Sequence, residues 1–317
     1  MQHFIKSILL VVALITQMPV FANDADTLNI TYVTAPFNMP SIIMREKGFL
    51  DNEMAVYNKK VNNSVITSGA KQTQAMAAGK IDIASVLGSS SAILVKANGA
   101  PIEIIAAFSR GPKAYTLMTM DKNIKSISDL KGKKVAGPKG TVLNQLLVAA
   151  LKSQGLTLND IEYINMDIPA ASAALLSGKV DAATLAGAHV IDAEKSGAVL
   201  LADGKGLISP TTVIAARSDW VKNNPELVKA YFSAHLKAID FIKQHPDEAL
   251  EITAKEQKIS LDDAKKQFSL YDFNPVLTSV DIKNLNEDQD FMIENGMLQD
   301  TKHIDIAKDL ISTSVYK

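Results

Sequence analysis

The sequence predicts an α/β protein of two lobes joined by two crossover strands, with a ligand cleft between the lobes. Three observations predict it. AMAAGKIDIASVLGSS, residues 75–90, returns as ALLSGKVDAATLAGAH, residues 174–189, with Ala75, Gly79, Lys80, Asp82, Ala84 and Gly88 matched without a gap by Ala174, Gly178, Lys179, Asp181, Ala183 and Gly187. The segments around each copy follow one order of strand, loop and helix, and self-similarity at a fixed interval is an architectural signal. Two β-rich runs, AYTLMTM (114–120) and SPTTVIAARSDW (209–220), lie where the chain leaves one lobe and returns to the other.

Taken in order, residues 1–22 carry Lys6, an apolar run from Ile8 to Ile15 and small residues before a cut after Ala22, the pattern of a secretory signal peptide. The apolar run is shorter than the roughly 20 residues a bilayer needs and is broken by Gln17 and Pro19, which argues against a retained anchor. LNITYVTAP reads as a buried strand, followed by a helix from Met39 that Gly48 ends. VITSGAKQTQAMAAG gives a turn and a helix closed by Gly79. IDIASV, a helix through Asn98 and the strand IEIIAAF complete the first unit. In the second, KKVAGPKGT is strand and loop, VLNQLLVAALKSQG a helix, IEYINM a strand, AASAALLSG a helix, and VDAATLAGAH a strand and glycine loop.

The last third is helical. Asn224 and Pro225 open a helix with apolar residues at i, i+3, i+4 spacing, and ISLDDAKKQFSLYDFNP and TSVDIKNLNEDQDFMIENG give two more. The expected division is a discontinuous first lobe, 23–113 and 217–317, and a second lobe, 114–216. Both are Rossmann-like, and a connection made twice lets them open and shut about a hinge without drifting apart.

Composition excludes several functions. The 317 residues carry a net charge of −1 with 21% charged residues, so no basic field selects a nucleic acid. The count of cysteines is zero, which removes disulfides, thiolate metal sites, a cysteine nucleophile and lipidation of a new N-terminus. The five histidines show no metal-ligand spacing, so no metal or cofactor is expected. GPKGT has the wrong order for a phosphate loop, and no nucleophile elbow or paired carboxylates fall on a predicted cleft loop. These features suit binding better than turnover, in the periplasm, as a monomer.

In an open α/β sheet the ligand sits outside the carboxyl ends of the strands, at helix N-termini. That places Ala35 to Asn38, Leu87 to Ser90, Pro138 to Val142 and Ala186 to His189 around one cleft. The candidate ligand-binding residues are Phe37, Asn38, Gly88, Ser89, Ser90, Gly140, Thr141, Val142, Gly187 and His189. Arg110, at the end of IEIIAAFSR, is a candidate bidentate anion partner, and Phe273 and Asn274 of YDFNP a candidate apolar wall with Phe37 and Phe108. Asp82 and Asp181 begin strands, away from the cleft.

SGAKQTQAMAAGKIDIASVLGSSSAILVKANGAPI, ISDLKGKKVAGPKGTVLNQLLVAALKSQGLTLNDIEYI, AALLSGKVDAATL and NNPELVKAYFSAHLKAIDFIKQHPDEA together resemble the periplasmic substrate-binding proteins of ABC importers. The branch is the one that takes aliphatic sulfonates, taurine, nitrate or thiamine pyrimidine precursors. The resemblance implies the type II periplasmic binding protein fold, a small organic anion or zwitterion as solute, and a permease with its ATPase as partners. Where many sulfonate-type relatives have an aromatic or acidic residue, this chain has Gly187-Ala188-His189, which leaves a pyrimidine precursor or other aromatic solute as an alternative. An enzyme of the same fold, a pyrimidine-precursor synthase, fits less well, because that protein is intracellular and cysteine-rich. A receptor serving a sensor or another type of transporter is a third reading.

Overall fold

The computed structural model describes residues 26–33 and 37–312, so the expected signal peptide, and Ala35 and Pro36 of the first loop, lie outside the described residues. The chain runs β1 (Thr27–Tyr32), α1 (Met39–Glu46), α2 (Phe49–Ala55), β2 (Lys60–Val65), α3 (Gly69–Ala77), β3 (Ile83–Gly88), α4 (Ser89–Ala97) and β4 (Ile102–Arg110). It continues through β5 (Tyr115–Thr119), β6 (Lys134–Gly137), α5 (Val142–Lys152), β7 (Glu162–Asn165), α6 (Ile168–Leu176), β8 (Ala182–Ala186), α7 (Ala188–Lys195) and β9 (Val199–Asp203). Last come β10 (Thr211–Arg217), α8 (Ser218–Asn223), α9 (Pro225–Gln244), α10 (Pro246–Gln257), α11 (Leu261–Phe268), α12 (Ser279–Glu294) and a single π turn at Ile306–Leu310.

The strands form two five-stranded sheets of one plan, β2-β1-β3-β10-β4 and β7-β6-β8-β5-β9. In each, the first three strands are parallel and the fourth is antiparallel to both neighbours. That fourth strand is the crossover. β4, at the edge of the first sheet, feeds β5 into the second, and β9, at the edge of the second, feeds β10 into the first. The return crossing therefore falls between Asp203 and Thr211, which corrects the expected boundary at 216: residues 211–216 pair with β3 and β4.

The repeated signature is structural. Gly79 and Gly178 have φ of 70° and 68°, the left-handed conformation that closes a helix at little cost only in glycine. Lys80 N–H then bonds Ala75 O, and Lys179 N–H bonds Ala174 O, both at 2.9 Å. Asp82 accepts the Asn29 N–H at 3.0 Å, and Asp181 accepts the Lys134 N–H at 2.7 Å, so each carboxylate ties the start of its strand to the strand beside it. These ends face away from the cleft.

Helices cover both faces of the first sheet. One core gathers Phe37, Met39, Ile43, Phe108, Val228 and Tyr231 under α1, α2, α9 and α10; the other gathers Met76, Ile93, Leu285 and Met292 under α3, α4 and α12. Two further clusters, around Leu146 and Leu147 of α5, serve the second sheet. Burying an aliphatic side chain contributes about 1.5–3 kcal/mol, and α9 buries Leu227, Val228, Tyr231, Ile239 and Ile242 on its inner stripe. Leu236, also apolar and on the same helix, stays 38% exposed.

The two strands the sequence hides are β2 and β9. Both are sheet edges with largely exposed residues, KVNNSV and VLLAD, and neither shows the apolar alternation by which a half-buried strand is read.

Candidate functional site

The cleft is built where helices begin. α3, α4 and α5 all start at the carboxyl ends of strands, and none of the three has its first turn capped by a side chain. Ser68 and Gly88, at two of the cap positions, are extended. Thr141, at the third, donates instead to Pro138 O at 2.7 Å. The N–H groups of three helices are thus left to whatever occupies the space they face, each adding the positive end of a helix dipole.

That space is a cavity of about 50 Å³ lined by Thr67, Gln72, Ser91, Tyr115, Thr141 and Thr212, with Gly69, Gly88, Val142 and Ile168 among its apolar and backbone wall. It has room for one or two waters, each taking about 30 Å³. None of its lining residues is charged.

The lobes are shut upon it. Ser91 Oγ donates to Gly140 O at 2.8 Å, and Lys71 of α3 pairs with Asp167 of α6 at 3.1 Å. Lys266 of α11 meets Glu194 of α7 at 2.7 Å, beside the Lys195–Asp263 pair. At the base, the hydroxyls of Tyr115 and Thr212, on the two crossover strands, are 2.9 Å apart. Close approach explains two glycines: a Cβ on Gly69 would sit 2.5 Å from Ser91 Oγ, and one on Gly88 would sit 3.0 Å from Val142 Cγ2.

Of the candidate residues, Gly88, Thr141 and Val142 line the cavity. Gly140 shapes the loop at φ 71° and offers its carbonyl to Ser91. Gly187 adopts φ 63°, ψ −141°, a conformation open to glycine, and His189 follows on α7, where burial lowers its imidazole pKa against the opposing effect of Asp192.

The others are corrected by their partners. Ser89 donates to Asp288 and Ser90 to Gln145, so both hydroxyls turn behind the cleft. Arg110 is consumed: it grips Asp281 through Nε and Nη2 at 2.6 and 2.7 Å and holds the carbonyls of Asn274 and Val276. Asn38 spends its amide on Ser41 and Val33 O and accepts from Gln257. Phe37 is fully buried, its ring 5.9 Å from Tyr271 and 6.5 Å from Phe273. Phe273 and Asn274 line a different cavity of about 440 Å³ between α9 and the 271–275 loop, which no uncapped end of α3, α4 or α5 reaches. Its walls are mainly Ile239, Ile242, Phe268, Tyr271 and Pro275. Volume alone would choose it, but the small cavity has the convergent donors.

Sequence reading missed Thr67, Gln72, Ser91, Tyr115, Ile168 and Thr212. Tyr115 and Thr212 had a usable signal, since both sit at the beginnings of crossover strands, which must pass the hinge. Gln72 had none. It lines the cleft while accepting from Thr31 and donating to Val86 O.

A family profile described as NMT1/THI5 like matches residues 45–249. The chain belongs to this NMT1/THI5-like family. A candidate binding protein of Brucella abortus is 32% identical over 222 residues, covering 68% of this chain and 67% of that protein. The taurine-binding periplasmic protein of Escherichia coli is 31% identical over 183 residues, 57% of each chain. In fold, the alkanesulfonate-binding protein of Xanthomonas axonopodis pv. citri, bound to MOPS, superposes with a TM-score of 0.79 at 19% identity, covering 90% of this chain and 98% of that one. The two-lobed plan of this NMT1/THI5-like chain is that of the periplasmic binding proteins, and its described helices include none long and apolar enough to cross a membrane.

Proposed function

We propose that the protein is a periplasmic solute receptor of an ABC import system that closes on a small organic anion and delivers it to a permease. One observation carries this reading: the uncapped first turns of α3, α4 and α5 converge on one small cavity between the lobes. A sulfonate or carboxylate there accepts from backbone N–H groups, each helix end contributing about 0.3–1 kcal/mol when exposed and up to about 2 when partly buried. Of the paired Tyr115 and Thr212 hydroxyls, the one that does not donate to the other supplies orientation. The cavity is too small for such a solute as it stands, so entry requires the lobes to part about the two crossings. The relatives named as binding proteins support the same reading.

The solute class can be narrowed. No Asp or Glu lines the cavity, and Asp167, at its rim, already caps α6 and pairs with Lys71. A buried ammonium would lack a counter-ion, a cost of several kcal/mol. The favoured solute therefore carries an anionic head and no amine. The protein acts as a monomer, exported with cleavage after Ala22, and performs no turnover.

The test is isothermal titration of the mature protein with ethanesulfonate, taurine, propionate, nitrate and an aminopyrimidine. A micromolar Kd, roughly 8 kcal/mol, is expected for ethanesulfonate, with taurine at least about tenfold weaker. Binding of the aminopyrimidine alone would overturn the anion reading, and binding of none would overturn the receptor reading.

A further inference from the structure

Behind the cleft, three elements meet at one carboxylate. Asp288, on α12, is 4% exposed. Its Oδ2 accepts from Ser89 Oγ at 3.2 Å, at the first residue of α4, and its Oδ1 accepts from Gln145 Nε2 at 2.6 Å, in the first turns of α5. Gln145 Oε1 in turn accepts from Ser90 Oγ. The chain Ser90–Gln145–Asp288–Ser89 thus joins helices that follow different sheets, and it does so at the N-terminal ends that face the solute.

We propose that Asp288 is a positioning residue of the cleft: through Gln145 and Ser89 it holds the α4 and α5 ends together across the lobes, and closure around an anion is easiest when this carboxyl carries its proton. In the closed form the carboxylate has two neutral donors and no cation. When the lobes part, Gln145 withdraws with α5 and water reaches the vacated oxygen. Ionisation therefore favours the open form, and an anion at the adjacent helix ends acts in the same direction by repulsion. That last part rests on the anion reading above; the coupling of closure to protonation does not.

The surrounding charges do not compensate. On α12 itself, Asp281 pairs with Arg110 and Lys283 with Glu287; Glu287 adds repulsion at Asp288. Asp290 faces His303 at 3.5 Å, and Glu294 faces Lys152 of α5 at 3.3 Å, both in exposed pairs. Lys96, the charged residue of α4, reaches Ile102 O at the far end of its helix. Lys308 and Asp309 of the π turn are exposed, their backbone N–H groups bonded to Asp305. Burial, the largest effect, raises the Asp288 pKa to about 6, against the hydrogen bonds of Gln145 and Ser89. In the open form so proposed, where water reaches the carboxyl, it titrates in the ordinary carboxylate range; the advantage of the closed form is then full below that range, falls as pH rises and is gone above about 6.

The experiment labels the full mature chain at E251C and K179C, one exposed position on each lobe of a protein that has no cysteine of its own, and measures the inter-lobe distance distribution from pH 4.5 to pH 8. Without solute, the closed-to-open ratio should fall at least about tenfold, with the midpoint of the fall below pH 6 and a plateau above it. D288N should flatten the profile and keep the closed form, Q145A should shift the protein open at every pH, and H303Q should leave the midpoint unchanged. A flat wild-type profile, or D288N with the wild-type profile, overturns the proposal. In a second arm, ethanesulfonate should bind several-fold tighter at pH 5 than at pH 8 in wild type and equally in D288N. Failure to bind at either pH would sink the anion reading, while the solute-free profile would still decide the coupling.

Discussion

Helices α3, α4 and α5 at the cleft begin differently from α11 and α12. On the outer surface α11 starts at Ser260, whose Oγ accepts the Asp263 N–H at 3.1 Å, and α12 starts with a reciprocal box between Thr278 and Asp281. At the cleft, α3, α4 and α5 have Ser68, Gly88 and Thr141 at the same position and no side-chain cap. A cap contributes about 1 kcal/mol. Omitting it three times around one cavity forgoes stability where a solute can supply the missing acceptor. A missing cap does not by itself mark the cleft, since α1, α2, α8, α9 and α10 also lack one and α6, whose Ile168 lines the cavity, is capped by Asp167; what sets α3, α4 and α5 apart is that their open ends meet at one cavity.

The comparison can be broken first at its outer side. Arg110→Met leaves Asp281, 1% exposed, without its cation, and should lower unfolding stability by about 3 kcal/mol in denaturant titrations. Burial acts to raise the Asp281 pKa, but bonds from Arg110 and Thr278 outweigh it and hold it below the usual carboxylate value. The stabilisation is therefore present above about pH 4 and lost as pH falls further, so variant and wild type should converge in acid. Next, Thr141→Asp places a carboxylate cap on α5. It should weaken ethanesulfonate binding at least about a hundredfold, about 2.7 kcal/mol by calorimetry, without loss of thermal stability.

The complementary change, Thr278→Ala, should cost about 1 kcal/mol of stability and leave solute affinity unchanged. Smallest of all, Lys71→Ala removes an ion pair whose lysine side chain is 65% exposed; closed-state stability should change by no more than about 0.5 kcal/mol, an effect abolished in 0.5–1 M salt, as ion-pair screening requires.

Much of the fold was legible because it rests on local rules. A glycine after a helix, an aspartate at a strand start and an apolar stripe leave marks in short windows, and Gly79, Asp82 and the α9 stripe repeat or run long enough to be read. The edge strands β2 and β9 were not legible, since an edge buries too little to impose a pattern. In the site, the loops could be placed, but the directions of their side chains could not. Ser89, Ser90 and Ser91 are adjacent and chemically identical; a helix turns successive residues to different sides, so the first two meet α12 and α5 while the third faces the cavity.

By itself, then, the sequence determined a doubled α/β plan, two crossings and the position of the cleft, because hydrogen-bonded secondary structure and its caps depend on near neighbours. The tertiary structure alone decided which polar groups remain for a solute. Arg110 is bound by Asp281, 171 residues away, and Ser89 by Asp288, 199 residues away, and no local pattern records a partner at that distance. A polar side chain is available to a guest only after every buried neighbour has taken its share of hydrogen bonds, and that allocation exists only in the packed molecule.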